Sequence, residues 1–414
     1  MTRVFIAVRH SLHPHYFYGD LWSSNFYPAL KALNCEVIES QVDLLAASRF
    51  MQISHDFTIE EDETRSRITQ QIIDEVKKAH QKSKIDLFLS YFYNSHFNPS
   101  GFDQIHQLGI PTVNFYCNSI HQFDLVREIA AKVNYSWHTE RDARDKYLQA
   151  GANPIWIQMA GNPTLYYPVS FIQRKSATCF VGQRYADRDR HIAYLLKQQI
   201  PVDVYGSGWG SPNNFSDSNH SKNNHSHTAS TYLGRSIPQP GSFASYSNLI
   251  QGNLSRLGIL RGTYRTLQQL QNRLASRKLR PLVSQAARGY ADNIPETFAS
   301  YEVILNFSNV WSDSYPGSPL VPHVRLRDFE APLCRTCYLT GYSDEIEEFY
   351  ELDQEIDTYR SPEELADKIQ FYLSHPDAAE KLREAGYQRA IRDHTWVNRF
   401  RELFAKIGLK FKSK

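Results

Sequence analysis

At 414 residues, 41% hydrophobic and 22% charged, the chain is long enough for two domains with proper cores and too apolar to be disordered. Lys and Arg total 46 against 44 Asp and Glu, which excludes a whole-protein field that gathers nucleic acid, so no nucleic-acid partner is expected and any basic site must be local. The 5 cysteines are odd in number and widely spaced, which argues against a disulfide framework and for reduced thiols in a cytoplasmic setting.

The first apolar run, Val4 to Val8, turns polar at Arg9 and His10. It is too short for a secretory signal and reads as a buried strand. The segment that follows, Arg9 to Asn25, holds His10, His13, His15, Gly19, Asp20 and Trp22. Ile85 to Ser90 and Thr112 to Tyr116 are further strands separated by helix-like segments, the pattern of a parallel sheet with crossover helices. Loops at the C-terminal ends of such strands form the ligand crevice, which places Tyr93-Asn94-Ser95-His96 and Cys117-Asn118-Ser119 beside the Arg9 to Asn25 segment. His96 and Asp20 are the general-base candidates here, although a lone histidine is more often a satisfied core residue. Gly161-Asn162-Pro163 and Tyr167-Pro168 then mark a linker, dividing the chain near residue 170 into lobes of 1–170 and 171–395, with a terminal helix and tail at 396–414.

The second half repeats the pattern with strands at Thr178 to Gly182, Val202 to Gly206, Val303 to Phe307 and Thr336 to Thr340. The first ends in Gly182 and passes through Arg184 into a helix near Arg188, a place where free N–H groups and arginines can hold a phosphate; a plain strand-to-helix turn is the alternative. Gly206-Ser207-Gly208-Trp209 is a second glycine turn, with Trp209 either stacking on a ligand or filling the sheet edge. A polar run with His220, His225 and His227 follows and reads as a loop. From Leu254 to about Arg288 the chain is helix-like and rich in arginine, either as a solvated face or as a peripheral contact with anionic lipid or another polyanion. Asn306-Phe307-Ser308-Asn309 leaves the third strand, and His323 to Leu333 brings Arg325, Arg327 and Glu330 on a helical spacing of Leu326, Phe329 and Leu333. A carboxylate there can accept two ribose hydroxyls while arginines neutralise a diphosphate; an Arg327–Glu330 pair on a helix surface explains the same residues. Cys334 and Cys337 precede a strand and lack further ligands, so they read as buried small residues, and no metal site is expected. Ser361-Pro362-Glu363-Glu364 is a helix start with a capping serine, and a last helix presents Trp396, Phe400, Leu403 and Phe404 on one face.

Taken together, Phe180 to Arg188, Tyr205 to Trp209, Leu305 to Asn309, Arg327 to Pro332, Tyr338 to Thr340, Ser361 to Leu365 and Asp393 to Arg399 resemble the CgeB/YkvP spore-protein-like glycosyltransferases. Asp86 to Asn94 and Gly109 to Tyr116 are similar to that family's more variable lobe. The resemblance implies an α/β fold of the GT-B kind: two Rossmann-like lobes facing a cleft, a nucleotide-sugar donor in the C-terminal lobe, and a terminal helix packing back across the lobes. The donor-side candidates are Gly182, Arg184, Arg188, Gly206, Gly208, Trp209, Asn306, Ser308, Arg325, Arg327 and Glu330, and the resemblance matches Glu330 to a ribose-holding glutamate. It places the acceptor mainly in the N-terminal lobe, where the loops after the strands offer His10, His13, Gly19, Asn94 and Asn118. Many retaining relatives carry a second glutamate eight positions before the first; here that position is Pro322. Where relatives commonly have glycine, this chain has Arg335.

The expected reaction is transfer of a sugar from a nucleoside-diphosphate sugar, as co-substrate and without a cofactor, to a hydroxyl on a glycan, lipid-linked or protein acceptor. Arg325 and Arg327 are expected to stabilise the leaving diphosphate, and Glu330→Ala to weaken donor binding. Pro322 and Arg335 keep open an idle sugar-nucleotide or polysaccharide-binding protein, and a nucleotide-sugar epimerase is a third reading.

Overall fold

The computed structural model describes residues 1–8, 21–170, 173–210, 243–313 and 315–410. These form two compact units, one of residues 1–159 with 396–410 and one of residues 160–210 with 243–395.

In the first unit, β1 (Thr2–Ala7), β2 (Cys35–Glu39), β3 (Leu87–Ser90), β4 (Thr112–Tyr116), β5 (Tyr135–His138) and β6 (Pro154–Trp156) form a six-stranded sheet in the order β2-β1-β3-β4-β5-β6. Every pairing in it is parallel. The strands legible in the sequence, β1, β3 and β4, are buried along their whole length because helices cover both faces. The edge strands β2 and β6 are partly exposed and carry no continuous apolar run, so the pattern does not announce them. Helix Ile59–Lys82 starts at a complete capping box: the Thr58 hydroxyl accepts from the Glu61 amide at 3.2 Å, and the Glu61 carboxylate accepts from the Thr58 amide at 2.8 Å. Its buried stripe is Ile68, Ile72, Ile73 and Val76.

Helix Trp396–Lys406 belongs to this first unit although the chain has left it at residue 159. Phe26 meets Trp396 and Phe400 edge-on at 5.1 and 5.3 Å, and Trp137 meets Phe400 at 5.5 Å. Arg399 fixes the helix by donating to the carbonyl of Met159 at 3.1 Å.

In the second unit the strands are β7 (Lys175–Val181), β8 (Val202–Tyr205), β9 (Tyr301–Asn306), β10 (Val310–Trp311), β11 (Leu320–Val321), β12 (Tyr338–Gly341) and β13 (Asp357–Tyr359). Five of them form an all-parallel sheet in the order β13-β12-β9-β7-β8, and β10 pairs with β11 as a short antiparallel ribbon. Helix Pro362–Ser374 is capped by Ser361 as its sequence predicts, but Glu364 reaches back one residue further, accepting from the amide of Arg360 at 2.7 Å.

The arginine-rich region begins earlier than its sequence suggests, at Phe243, and runs to Val283 with a break at Gly258 (φ 75°, ψ 174°), so it is two helical limbs. Asn253 ties them together, donating to Thr266 and Gln269 at 3.0 Å each. Gly262 lets them approach: a Cβ there would meet the Asn253 carbonyl at 2.6 Å. The second limb lies against helix Arg188–Lys197.

Candidate functional site

The second sheet reverses its order between β7 and β9, so the loops leaving these two strands diverge and open a crevice at their C-terminal ends. A cavity of about 510 Å³ lies there. Asp187 reaches it from the loop after β7, Ser308 and Asn309 from β9, Tyr342 from β12, and Arg360 from β13, while Pro322 closes one side. Asn309 bridges the divergent loops by donating to the Asp187 carboxylate at 2.7 Å. Arg360 lies over the Tyr342 ring at 3.3 Å from its centroid.

Two arginines stand behind these loops. Arg188 opens helix Arg188–Lys197 and is only 7% exposed, stacked near Phe180 and Tyr185 at 5.2 and 5.8 Å. It donates to the carbonyl of Gln183 at 2.8 Å, and its Nε has no hydrogen-bond partner. Among the described residues no carboxylate lies within ion-pairing distance of it. Burial, reinforced by the neighbouring Arg325 charge, pulls its pKa down to about 9, and Asp187 offsets this only in part. Arg325 in turn donates to the carbonyl of Asn309 at 3.1 Å. A buried cation next to a second cation, at the mouth of a parallel sheet, is an arrangement that an anion relieves.

Asp328 holds this arrangement in place. Its Oδ1 accepts from Asn306, Tyr338 and Thr340 at 3.1, 2.7 and 2.8 Å, and its Oδ2 accepts from the Arg325 amide at 2.5 Å. Burial pushes this carboxyl above the usual range and the four donors pull it back. Its role is invisible in sequence because its partners come from three separate strands and loops.

Residues 262–405 match a family model described as glycosyl transferase-like. No curated protein matches the chain. Among solved structures it is similar to HepE of Anabaena in complex with UDP, at 11% identity and a TM-score of 0.52, covering 99% of this chain and 100% of that one. Sucrose-phosphate synthase of Thermosynechococcus elongatus is similar at 12% identity and a TM-score of 0.51, covering 99% of each chain. A glycosyltransferase of Rickettsia africae is similar at 10% identity and a TM-score of 0.51, covering 99% of this chain and 98% of that one. The fold is GT-B.

Within the C-terminal GT-B unit, several residues expected at a donor site have other employment. Gly182, Gly206 and Gly208 pack against neighbouring backbone and side chains: a Cβ on Gly206 (φ 127°) would meet the Gly182 carbonyl at 2.5 Å, and one on Gly208 (φ 85°) the Arg184 Cβ at 3.1 Å. The two glycine turns therefore seal on each other. Trp209 is fully buried and donates to the Gly182 carbonyl at 2.8 Å, so stacking on a base is replaced by core filling. Arg184 is spent on Asp189 at 2.8 Å and on the Ser276 carbonyl at 2.6 Å. Asn306 serves Asp328, while Ser308 lines the cavity and donates to the Gly341 carbonyl at 2.7 Å.

Arg327 and Glu330 form a buried ion pair at 2.9 Å, with Phe298 and Tyr166 against the guanidinium. Burial raises the Glu330 pKa against the opposing pull of Arg327 and a hydrogen bond from Tyr166. Glu330, like Arg188 and Arg325, stands behind the residues that line the cavity, and Arg327 is paired with it. Arg335 has φ 57°, the left-handed conformation just past helix Arg327–Leu333 that favours glycine, and is held by Glu384 at 2.7 Å and by Glu380.

In the N-terminal GT-B unit, His96 lies in the loop after β3. It is fully buried; its Nδ1 accepts from the Tyr93 amide at 3.3 Å, and its Nε2 lies 3.1 Å from the Ser48 hydroxyl. Asn94 is likewise structural, donating to the carbonyls of Ser54 and Asp124 at 2.9 Å each, whereas Asn118 is half-buried after β4. His10, His13, Gly19 and Asp20 lie outside the described residues, as do His220, His225 and His227.

Cys334 and Cys337 are free and buried; burial pushes Cys334 up to about 12 and Cys337 upward as well, which opposes thiolate chemistry. Among the described residues no group of three His, Cys, Asp or Glu is placed to hold a metal, and no helix is long and apolar enough to cross a membrane. The cavity residues Asp187, Asn309 and Arg360 escaped sequence reasoning. Their signal is position: each sits within a few residues of a strand's C-terminal end.

Proposed function

We propose that this chain is a glycosyltransferase that moves a sugar from a nucleoside-diphosphate sugar to a hydroxyl acceptor, with the diphosphate held in the C-terminal unit by Arg188 and Arg325. The observation that carries this reading is the buried guanidinium of Arg188, which has no ion pair among the described residues and stands beside Arg325 at the reversal point of a GT-B sheet. The glycosyl transferase-like match over residues 262–405 supports the reaction class. HepE was solved with UDP and glucose, which makes uridine nucleotides the first donors to try. The finer affinity to CgeB/YkvP-like proteins, from the motifs between Phe180 and Arg399, is part of the same reading.

In the transfer step the bond between the sugar's anomeric carbon and the diphosphate oxygen breaks, and the electron pair stays on the departing oxygen. Fixed cations that face this charge stabilise the transition state more than the ground state. Arg188 gains most, because anion binding removes the electrostatic penalty it carries when the site is empty of charge. The acceptor hydroxyl forms the new bond and gives up its proton; with His96 enclosed, Asp20 is the remaining base candidate.

The test is thermal stabilisation and sugar release across UDP-, GDP-, dTDP-, ADP- and CMP-sugars, on the wild-type chain and on Arg325→Gln. A selective shift that Arg325→Gln weakens, with slow sugar release, is the expected result. Tight binding with neither release nor transfer to any acceptor would replace transfer with binding alone, and no binding by any donor would remove the proposal.

A further inference from the structure

The helical hairpin of Phe243–Val283 presents a face that its own packing does not use. Its inner side is engaged: Gln269 and Thr266 meet Asn253, Ser276 meets Arg184 and Asp189, and Arg265 pairs with Asp313 at 3.2 Å. The outer side is apolar. Leu260 (86% exposed), Tyr264 (65%), Leu267 (54%) and Leu274 (60%) recur at helical spacing on one face of the second limb, and Ile259 (77%) stands beside Leu260 at the bend. At about 1.5 Å of rise per residue the stripe is roughly 21 Å long.

Charge identifies what covers it. The hairpin sequence contains six arginines and one lysine and no aspartate or glutamate, in a chain whose 46 basic and 44 acidic residues nearly cancel as a whole. Arg261, Arg277 and Lys278 are exposed alongside the stripe. We propose that this hairpin is a membrane-surface anchor: its second limb lies along an anionic lipid bilayer, with Ile259 and Leu260 seated at the acyl boundary and the flanking cations on the headgroups. An exposed apolar stripe bordered by cations is the signature of an interfacial helix. A nucleic acid would satisfy the arginines and leave the leucines in water. A second copy would cover the leucines and bring two all-cationic surfaces together, which like-charge repulsion opposes.

The test is co-sedimentation of the full chain with vesicles of phosphatidylcholine alone and of phosphatidylcholine mixed with phosphatidylglycerol, at low and high salt. Binding to the anionic vesicles only, weakened by salt, is expected. Removing the charge at Arg261 and Arg277 by glutamine substitution lowers the partition about fivefold per residue. The double variant Ile259→Ser, Leu260→Ser lowers it on the order of tenfold or more. Both variants change exposed side chains, so their melting temperatures should match the wild type. Failure to sediment with anionic vesicles, equal binding to both lipids, or a lipid-free dimer that the double serine variant dissolves would each overturn the proposal.

Discussion

Replacing Arg188 by methionine separates stability from ligand binding in a way that an ordinary core arginine would not. Burial pulls its pKa down to about 9, which at about 1.36 kcal/mol for each tenfold change in the proton equilibrium is roughly 5 kcal/mol of unfavourable placement for the charge. Methionine keeps the apolar stem against Phe180 and Tyr185 but loses the bond to the Gln183 carbonyl, about 1 kcal/mol, and the cation–π contacts, about 1 to 2 kcal/mol. The net expectation is a gain of about 2 kcal/mol without nucleotide, read as a melting rise of roughly 4–8 °C for a unit of this size. The same variant should bind a nucleoside diphosphate more weakly, by at least about tenfold. A folded-state pKa below the unfolded one means that the unfolded chain holds more protons above about pH 9, so wild-type stability recovers as pH rises through 9. The advantage of Arg188→Met is therefore full at pH 7 and shrinks above pH 9. Paired melts of both proteins across that range, with and without UDP, are the assay. A variant that melts below wild type and keeps its affinity would refute the reasoning, because it would mean that Arg188 is already compensated.

Other outcomes follow from particular contacts. Glu330→Ala leaves Arg327 buried without its partner and should cost about 3–5 kcal/mol, with the double variant Arg327→Met, Glu330→Leu restoring most of it; a single variant that melts normally while losing nucleotide affinity would return Glu330 to ribose binding. Gly206→Ala sets a Cβ at 2.5 Å from the Gly182 carbonyl in a conformation that L-residues avoid, so urea unfolding should show a loss of about 2 kcal/mol or more. Arg335→Gly relieves the left-handed strain, about 1 kcal/mol, and gives up two surface ion pairs of similar worth, so its midpoint should stay within about 1 kcal/mol of wild type. Acid–base assays should show Asp20→Asn reducing turnover with little change in donor affinity, whereas His96→Gln should shift the melting temperature instead.

Apolar runs bounded by glycine and polar residues locate β1, β3, β4, β7, β8, β9 and β12, since a strand covered on both faces must be apolar throughout. The Ser361-Pro362 cap and the aromatic face of Trp396–Lys406 are equally local and equally legible. From those strands and their glycine turns, the α/β class and the C-terminal strand ends as the ligand edge can be read before any coordinates. Partnership is what the sequence leaves open. Arg184 and Arg188 stand four residues apart and look alike, yet Arg184 meets Asp189 and Ser276 while Arg188 has no ion pair among the described residues; that difference is why Arg188 is proposed as the anion site. Trp209, His96 and Glu330 are each buried against partners that local spacing does not show, for the same reason. The long-range partners of a side chain are set by strand order, and here the reversal between β7 and β9 brings Asp187 to Asn309 across 122 positions of chain, a neighbourhood that local pattern cannot encode.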